Sequence, residues 1–449
     1  MRSRPIVAAA ALLAGAVPAQ AEGVVIGGEF SRTGADVTPR FFHAASRLSG
    51  TNLVMVTGGM RVQIFPPSLV SQASVSFFNP DLGEFSALYA PRGGGPTVSP
   101  SLLIARSSHT QTLLPDGRVL VTGGHVGAAG TSPGIPTTGV EIFDPLSGAF
   151  VPGPPMNEAR AAHTATLVVD GRVLVAGGSS AQLFDPSMSA WGAPIALSVA
   201  RSAHAAALVE TGAGSRVLLA GGAGGAGTTL ELVDFMLGSS SMLPGALTVG
   251  VDDLACAVLD DGRVLITGGQ NVSSGDTVAL TYLFDPITLS LAAIDPVAGF
   301  AAGVSDHRMV VLGGSALVAG GESQVAGNDT ELSQSALFAR ECDGWVWTGS
   351  MSHPHDDAAA VALEDGRILV IGGGAPFLGQ EIATAECEIF TAIHAPMADL
   401  SCDGVVGFDD LLIILSAWGS CGAGPCDADL NGDHEIGFDD LLIVLSSWG

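Results

Sequence analysis

Hydrophobic and polar positions along most of this chain fall into short apolar runs of Val, Leu, Ile and Ala, broken by glycine, aspartate and proline. Residues 163–186 show the pattern in full: HTATLVVDGRVLVAGGSSAQLFDP. The order is apolar run, Asp-Gly, second run, glycine pair, short loop, and a third run ending in Phe-Asp-Pro. Short runs rich in β-branched residues and bounded by turn formers predict strands rather than helices. The run Arg172-Val173-Leu174-Val175, just ahead of the glycine pair, is apolar enough for a strand buried on both faces. Asp-Gly between two apolar runs predicts a two-residue hairpin with positive φ at both turn positions. Proline after the third run ends that strand without disturbing a ladder.

The unit repeats. Glycine pairs at Gly58-Gly59, Gly123-Gly124, Gly177-Gly178, Gly221-Gly222, Gly268-Gly269, Gly320-Gly321 and Gly372-Gly373 recur every 44 to 65 residues. That interval suits a four-stranded unit with loops of varying length. The preceding turn is Asp116-Gly117, Asp170-Gly171, Asp261-Gly262 or Asp365-Gly366, and Gly313-Gly314 in the sixth copy. A fourth strand is marked by an aromatic followed ten residues later by Arg or His, as in Phe150 and Arg160, Trp191 and Arg201, Trp345 and His355, and Phe30 and Arg40. The last copy, after Phe390, has no aromatic fourth strand of its own. Residues 23–32 are therefore expected to supply it, which would close a ring and leave no unpaired edge.

Arg-x-x-His-(Thr/Ala), Asp-Gly-Arg-Val-Leu-(Val/Ile)-(Ala/Thr)-Gly-Gly and Phe-Asp-Pro together resemble the Kelch repeat, in the bacterial form also found in the central domain of galactose oxidase-like proteins. The resemblance spans roughly residues 24–397 and implies an all-β, seven-bladed Kelch-type β-propeller closed by the N-terminal strand. The motif is full in copies two to four and decays later: Val251 and Leu254 stand in the fifth, and Ala358 takes the histidine place in the seventh.

After Pro396 the pattern changes to a duplication with an offset of 30 residues, DLSCDGVVGFDDLLIILSAWG at 399–419 and DLNGDHEIGFDDLLIVLSSWG at 429–449. Asp429, Asn431, Asp433, the carbonyl of Glu435 and Asp440 occupy positions 1, 3, 5, 7 and 12 of a calcium loop. Asp399, Ser401, Asp403, Val405 and Asp410 match them in the first copy. A helix is predicted after each loop, over residues 408–418 and 438–448. The tail resembles type I dockerin, which implies Ca2+ as cofactor and docking to a cohesin-like scaffold or cell-surface receptor. Position 12 is Asp rather than the usual Glu, and His434 stands where the sharp turn prefers glycine.

Composition narrows the partners. The chain has 449 residues, a formal charge of -27 and no lysine, which argues against nucleic acid or an anionic membrane. Arg2 and Arg4, the apolar residues 6–17 and Ala19-Gln20-Ala21 read as a signal peptide cleaved after Ala21. The domains expected are thus 1–21 signal peptide, 22–397 propeller and 398–449 calcium module, in a protein secreted to the extracellular space or cell surface, with no membrane span. Among six cysteines, a bridge from Cys402 to Cys421 or Cys426 and another between Cys342 and Cys387 are expected, with Cys256 free.

No catalytic constellation stands out. His43, His109, His163 and His204 recur in register with Arg40, Arg106, Arg160 and Arg201, which marks blade-to-blade structure rather than a site. The galactose oxidase resemblance implies a copper site of two tyrosines, one joined to cysteine, and two histidines. Only Tyr89 and Tyr282 exist here, and Tyr282 stands in the run Tyr282-Leu283-Phe284-Asp285, where a core or interblade role is expected, so an oxidase is not expected. Asp252, Asp253, Asp356 and Asp357 are candidate paired acids for glycoside hydrolysis, read as solvated loop acids near strand starts. The sequence reading is a non-catalytic binding protein whose propeller presents loops to a glycan or protein ligand. Its alternative is a scaffold- or surface-attached carbohydrate-active enzyme.

Overall fold

The computed structural model describes residues 25–63, 68–127, 134–339, 344–377, 380–394, 398–401, 405–421, 428–431 and 433–448. The expected signal peptide, Cys342, Cys402, Asp403 and Cys426 lie outside these residues.

The repeating unit is an antiparallel sheet of four strands. In the second copy Thr110–Leu113, Val119–Thr122, Val140–Asp144 and Ala149–Pro152 pair in that order, with Phe143 opposite Phe150. Six separate four-stranded sheets occur among the described residues. The first copy pairs in the same order, Ala44–Arg47, Val54–Thr57, Ser68–Asn79 and Glu84–Ser86, inside an eight-stranded sheet. In the third copy the second and third strands are one, Val173–Asp185, running through the glycine pair. Second strands such as Val119–Thr122 and Ile368–Ile371 are buried at every residue, which is why they read as unbroken apolar runs. Inner strands neighbour one another in a closed cycle, from Ala44–Arg47 through Thr110–Leu113, Thr164–Leu167, Ala205–Thr211, Ala255–Val258, Arg308–Leu312 and Ala359–Ala362 back to the start. The architecture is all-β and propeller-like.

The N-terminal strand Val25–Arg32 pairs antiparallel with Cys387–His394 and sets Phe30 opposite Phe390, their rings 5.1 Å apart. This is the strand the last unit lacks. The aromatic of the third strand is fully buried in each case (Phe78, Phe143, Phe184, Phe338, Phe390), and the fourth-strand aromatic packs on it.

The Asp-Gly turns differ from expectation. Gly117 takes φ 87° but Asp116 does not take positive φ. The Gly117 amide donates to Leu114 O at 2.9 Å, and the Leu114 amide to Arg118 O at 2.8 Å, so the loop has three residues with glycine in the left-handed position. Asp116 serves instead as an acceptor for the Arg118 amide (3.0 Å), and its carboxylate holds the Arg118 side chain. Among the turns named above, Gly313-Gly314 alone is a two-residue turn with both φ values positive.

The tail forms two helices, Phe408–Ser416 and Phe438–Ser446, each ending two residues before the predicted limit. Ile414 and Val444 pack with Val406 and Ile436 in a small shared core, while Phe408, Leu412, Trp418 and their counterparts Phe438, Leu442, Trp448 stay exposed. Cys421 is disulfide-bonded. Cys387, expected to bridge, is instead a free thiol buried in the last sheet, its sulfur on Ala385 O.

Candidate functional site

The site begins with the turn that precedes each inner strand. Its third residue takes positive φ in every unit: Phe42, Ser108, Ala162, Ala203, Asp253, Asp306 and Asp357, all between 49° and 56°. None of these is glycine, so each carries backbone strain that its surroundings must hold. Hydrogen bonds around the axis do so. The amide of Ser108 donates to Phe42 O, Ala162 to Ser108 O, Ala203 to Ala162 O, Asp253 to Ala203 O, Asp306 to Asp253 O, and Phe42 to Asp357 O, at 2.8–3.2 Å.

Side chains on this ring are not alike. Four consecutive units present Phe, Ser, Ala and Ala, and the next three present aspartate, with Asp252 and Asp356 one residue earlier. Carboxylate oxygens of Asp306, Asp356 and Asp357 lie within 4.8 Å of one another, with Asp306 half-buried and the other two buried. Asp357 is 4% exposed and Asp252 7%, and Oδ1 of each has no hydrogen-bond partner among the described residues. Burial, then the charges of Asp306, Asp356 and Glu381, push the Asp357 carboxyl well above the usual carboxylate range, against the pull of Arg308. Burial and the Asp306 charge raise Asp252 to about 6. Hairpins grow from the glycine pairs beside these turns: Glu322–Val325 with Asn328–Glu331, and Gly374–Phe377 with Gln380–Ala383, tied to the turns by bridges Ser305 to Glu322 and Asp356 to Gly374. Carboxyls crowded in this way cannot all stay ionised unless they share protons or a cation.

Sequence reasoning named Asp252, Asp253, Asp356 and Asp357 but read them as solvated loop acids, and it missed Asp306. Three of the four named acids are buried. Aligning the third residue of the seven Arg-x-x-His turns is the signal that finds the group.

The repeated arginines and histidines are structural, as expected. Nη1 of Arg40, Arg106, Arg160 and Arg201 donates to the carbonyl of the first glycine of its own unit at 2.5–2.9 Å. His355 takes that place in the last unit, with Nδ1 on Gly372 O at 2.7 Å. His109, His163 and His307 bond through Nε2 to Thr57, Thr122 and Thr267 of the preceding unit, at 2.7–2.9 Å. Burial, then neighbouring guanidinium charge, holds His163 and His307 down to about 3, so these rings are neutral.

In the tail, Asp410 accepts from the amides of Ser401 and Gly407 at 2.7 and 2.6 Å, and Asp440 from those of Leu430, Asn431 and Gly437 at 2.7–3.1 Å. Both carboxylates thus cap the helix that follows. Asp429 accepts from the amides of Asp433 and His434, and Asp433 from that of Glu435.

No known protein family and no curated protein matches the chain by sequence. Among solved structures, the chain is similar to a fungal alcohol oxidase of the AA5 family determined in complex with copper. The TM-score is 0.62 at 16% identity, over 83% of this chain and 77% of that one. The shared fold is that of a galactose oxidase-like β-propeller. This finding corrects two expectations. The chain was expected to be a non-catalytic binding protein, docked through a tail to a cohesin-like scaffold; the similar structure is of an enzyme. Ca2+ was expected as cofactor; the similar structure holds copper, and in the tail the position-12 carboxylates are taken up by backbone amides.

Copper nevertheless does not fit the residues of this chain. Tyr89 is buried, stacked on Phe77 with its hydroxyl donated to Pro145 O at 3.0 Å. The Tyr282 hydroxyl is bonded to Thr248, and one strand, carrying Ile266, separates it from Cys256. Among the described residues the one cluster of three metal-ligating side chains is all aspartate, whereas copper favours imidazole.

Proposed function

We propose that the seven units are the blades of a Kelch-type β-propeller, that the duplicated tail is a dockerin-like unit, and that the protein is an exported carbohydrate-active enzyme working at the acidic side of its axial ring. One observation carries this reading: the repeat loses its symmetry on the axis, where Asp253, Asp306 and Asp357 replace Phe, Ser and Ala. Duplication alone would give every unit the same residue. Gathering carboxylates on three adjacent units, Asp252, Asp356 and Asp357 of them buried, opposes folding, so chemistry is the reason to keep them. Their charge repels phosphate- or carboxylate-bearing substrates and suits neutral hydroxyls, which donate to carboxylates. A structure of the same fold that is an alcohol oxidase supports a hydroxyl-bearing substrate.

The test is release of reducing ends from a panel of neutral polysaccharides by the purified full-length protein. Asp306→Asn and Asp357→Asn are each expected to lower turnover by at least about 100-fold, with melting little changed. Turnover that survives both substitutions would place the reaction elsewhere.

A further inference from the structure

We propose that Asp306, Asp356 and Asp357 together bind one hard divalent cation, of the Mg2+ or Mn2+ class, on the axis of the ring. Three observations converge on it. First, their oxygens lie within 4.8 Å of one another. Two oxygens at about 2.1 Å from one ion stand at most about 4.2 Å apart, so side-chain adjustment alone closes the site. Second, Asp357 presents a buried Oδ1 with no hydrogen-bond partner among the described residues, an arrangement that a bound cation would satisfy. Third, Asp252 belongs to a different unit, is 7% exposed, and also holds an Oδ1 with no hydrogen-bond partner among the described residues. The charge of Asp306 acts on Asp252, so a cation held by the trio is expected to be felt there as well.

The donor set chooses the ion. Oxygen donors alone, without nitrogen or sulfur, select a hard cation over copper or zinc. Among the described residues, Arg308 is the cation whose charge acts on Asp357, and its Nε and Nη1 donate to Ala358 O and His307 O. Three carboxylates on an octahedral ion leave about three positions open, room for water or for two adjacent hydroxyls of a sugar. Service to such a substrate rests on the enzyme reading above; binding of the ion does not.

Mn2+ is the probe. Crystals of the unmodified protein soaked in Mn2+ are expected to show an anomalous peak among the three carboxylates. In solution, Asp306→Asn should weaken one Mn2+ binding event by more than about 10-fold, and Asp252→Asn by up to about 10-fold, with melting in metal-free buffer unchanged. Mn2+ peaks elsewhere but none at the trio would overturn the proposal, and the diffraction result stands even if a variant fails to fold. Identical titrations of wild type and Asp306→Asn would overturn it too. Mn2+ bound at the trio without glycan turnover would sink the enzyme reading and leave the cation site standing.

Discussion

Arg106 shows how a single residue of the repeat is used. Its guanidinium donates to Gly123 O at 2.7 Å and Gly139 O at 3.1 Å, and pairs with Glu141 at 2.6 Å, all in the buried interior. Glu141 also accepts the amides of Leu103 and Ile104, so the pair fixes the strand Ser101–Ser107 that carries those residues. A buried pair of this kind adds little net stability, but losing one partner strands the other charge. Arg106→Met is therefore expected to cost about 3–5 kcal/mol in urea unfolding. Adding Glu141→Leu should recover part of that loss, and a cycle with no coupling would show that the two residues act separately. The seventh unit makes the point differently: His355 replaces the arginine and still reaches both Gly372 O and Glu388. Position matters more here than residue type, which is why a motif that decays in sequence still builds the same joint.

At the scale of elements, the glycine pair is the joint between units. The second glycine donates its amide to the next unit's Arg or equivalent: Gly59 to Arg106 O, Gly124 to Arg160 O, Gly222 to Val251 O, Gly269 to Val304 O, Gly321 to His355 O and Gly373 to Arg40 O. The first glycine lets that carbonyl approach. At Gly268, φ is 63° and a Cβ would stand 2.2 Å from Val304 O. Gly268→Ala must move backbone on the neighbouring unit, and we expect a loss of more than about 1 kcal/mol, measured by urea midpoint. No change would mean the joint is slack. Closure of the ring makes a parallel prediction. Removing Val25–Arg32 leaves Cys387–His394 as an exposed edge and strips Phe390 of Phe30. The shortened protein is expected to melt well below wild type and to aggregate, and an unchanged melt would show that the strand is dispensable.

Across the whole molecule, what was legible in the sequence is what repeats. Glycine pairs, Phe-Asp-Pro ends and the aromatic spacing located the sheets, and the missing aromatic after Phe390 pointed to the N-terminal strand. What was not legible depends on the ring being closed. Asp306 and Asp357 are 51 residues apart in sequence and meet only because adjacent inner strands bring their turns to one axis. Burial of the recurring histidines is a whole-molecule property too, and it predicts acid sensitivity. His43, His109, His163, His204 and His307 are buried and held below their ordinary value of 6.5, His163 and His307 at about 3. A lowered histidine means the unfolded chain takes up the proton first, so the stability it contributes is full above 6.5 and is lost as pH falls toward 3. Each unit of pH in that window costs up to about 1.4 kcal/mol for every histidine held neutral. The charge of -27 acts the other way, since acid relieves repulsion, but surface charge is screened beyond about 8 Å at physiological salt. The histidines are expected to win: at 0.15 M salt the urea midpoint should be lower at pH 5 than at pH 7, and His163→Gln should flatten that slope. A midpoint that rises between pH 7 and pH 5 would mean that the surface, not the joints between units, governs how this ring responds to acid.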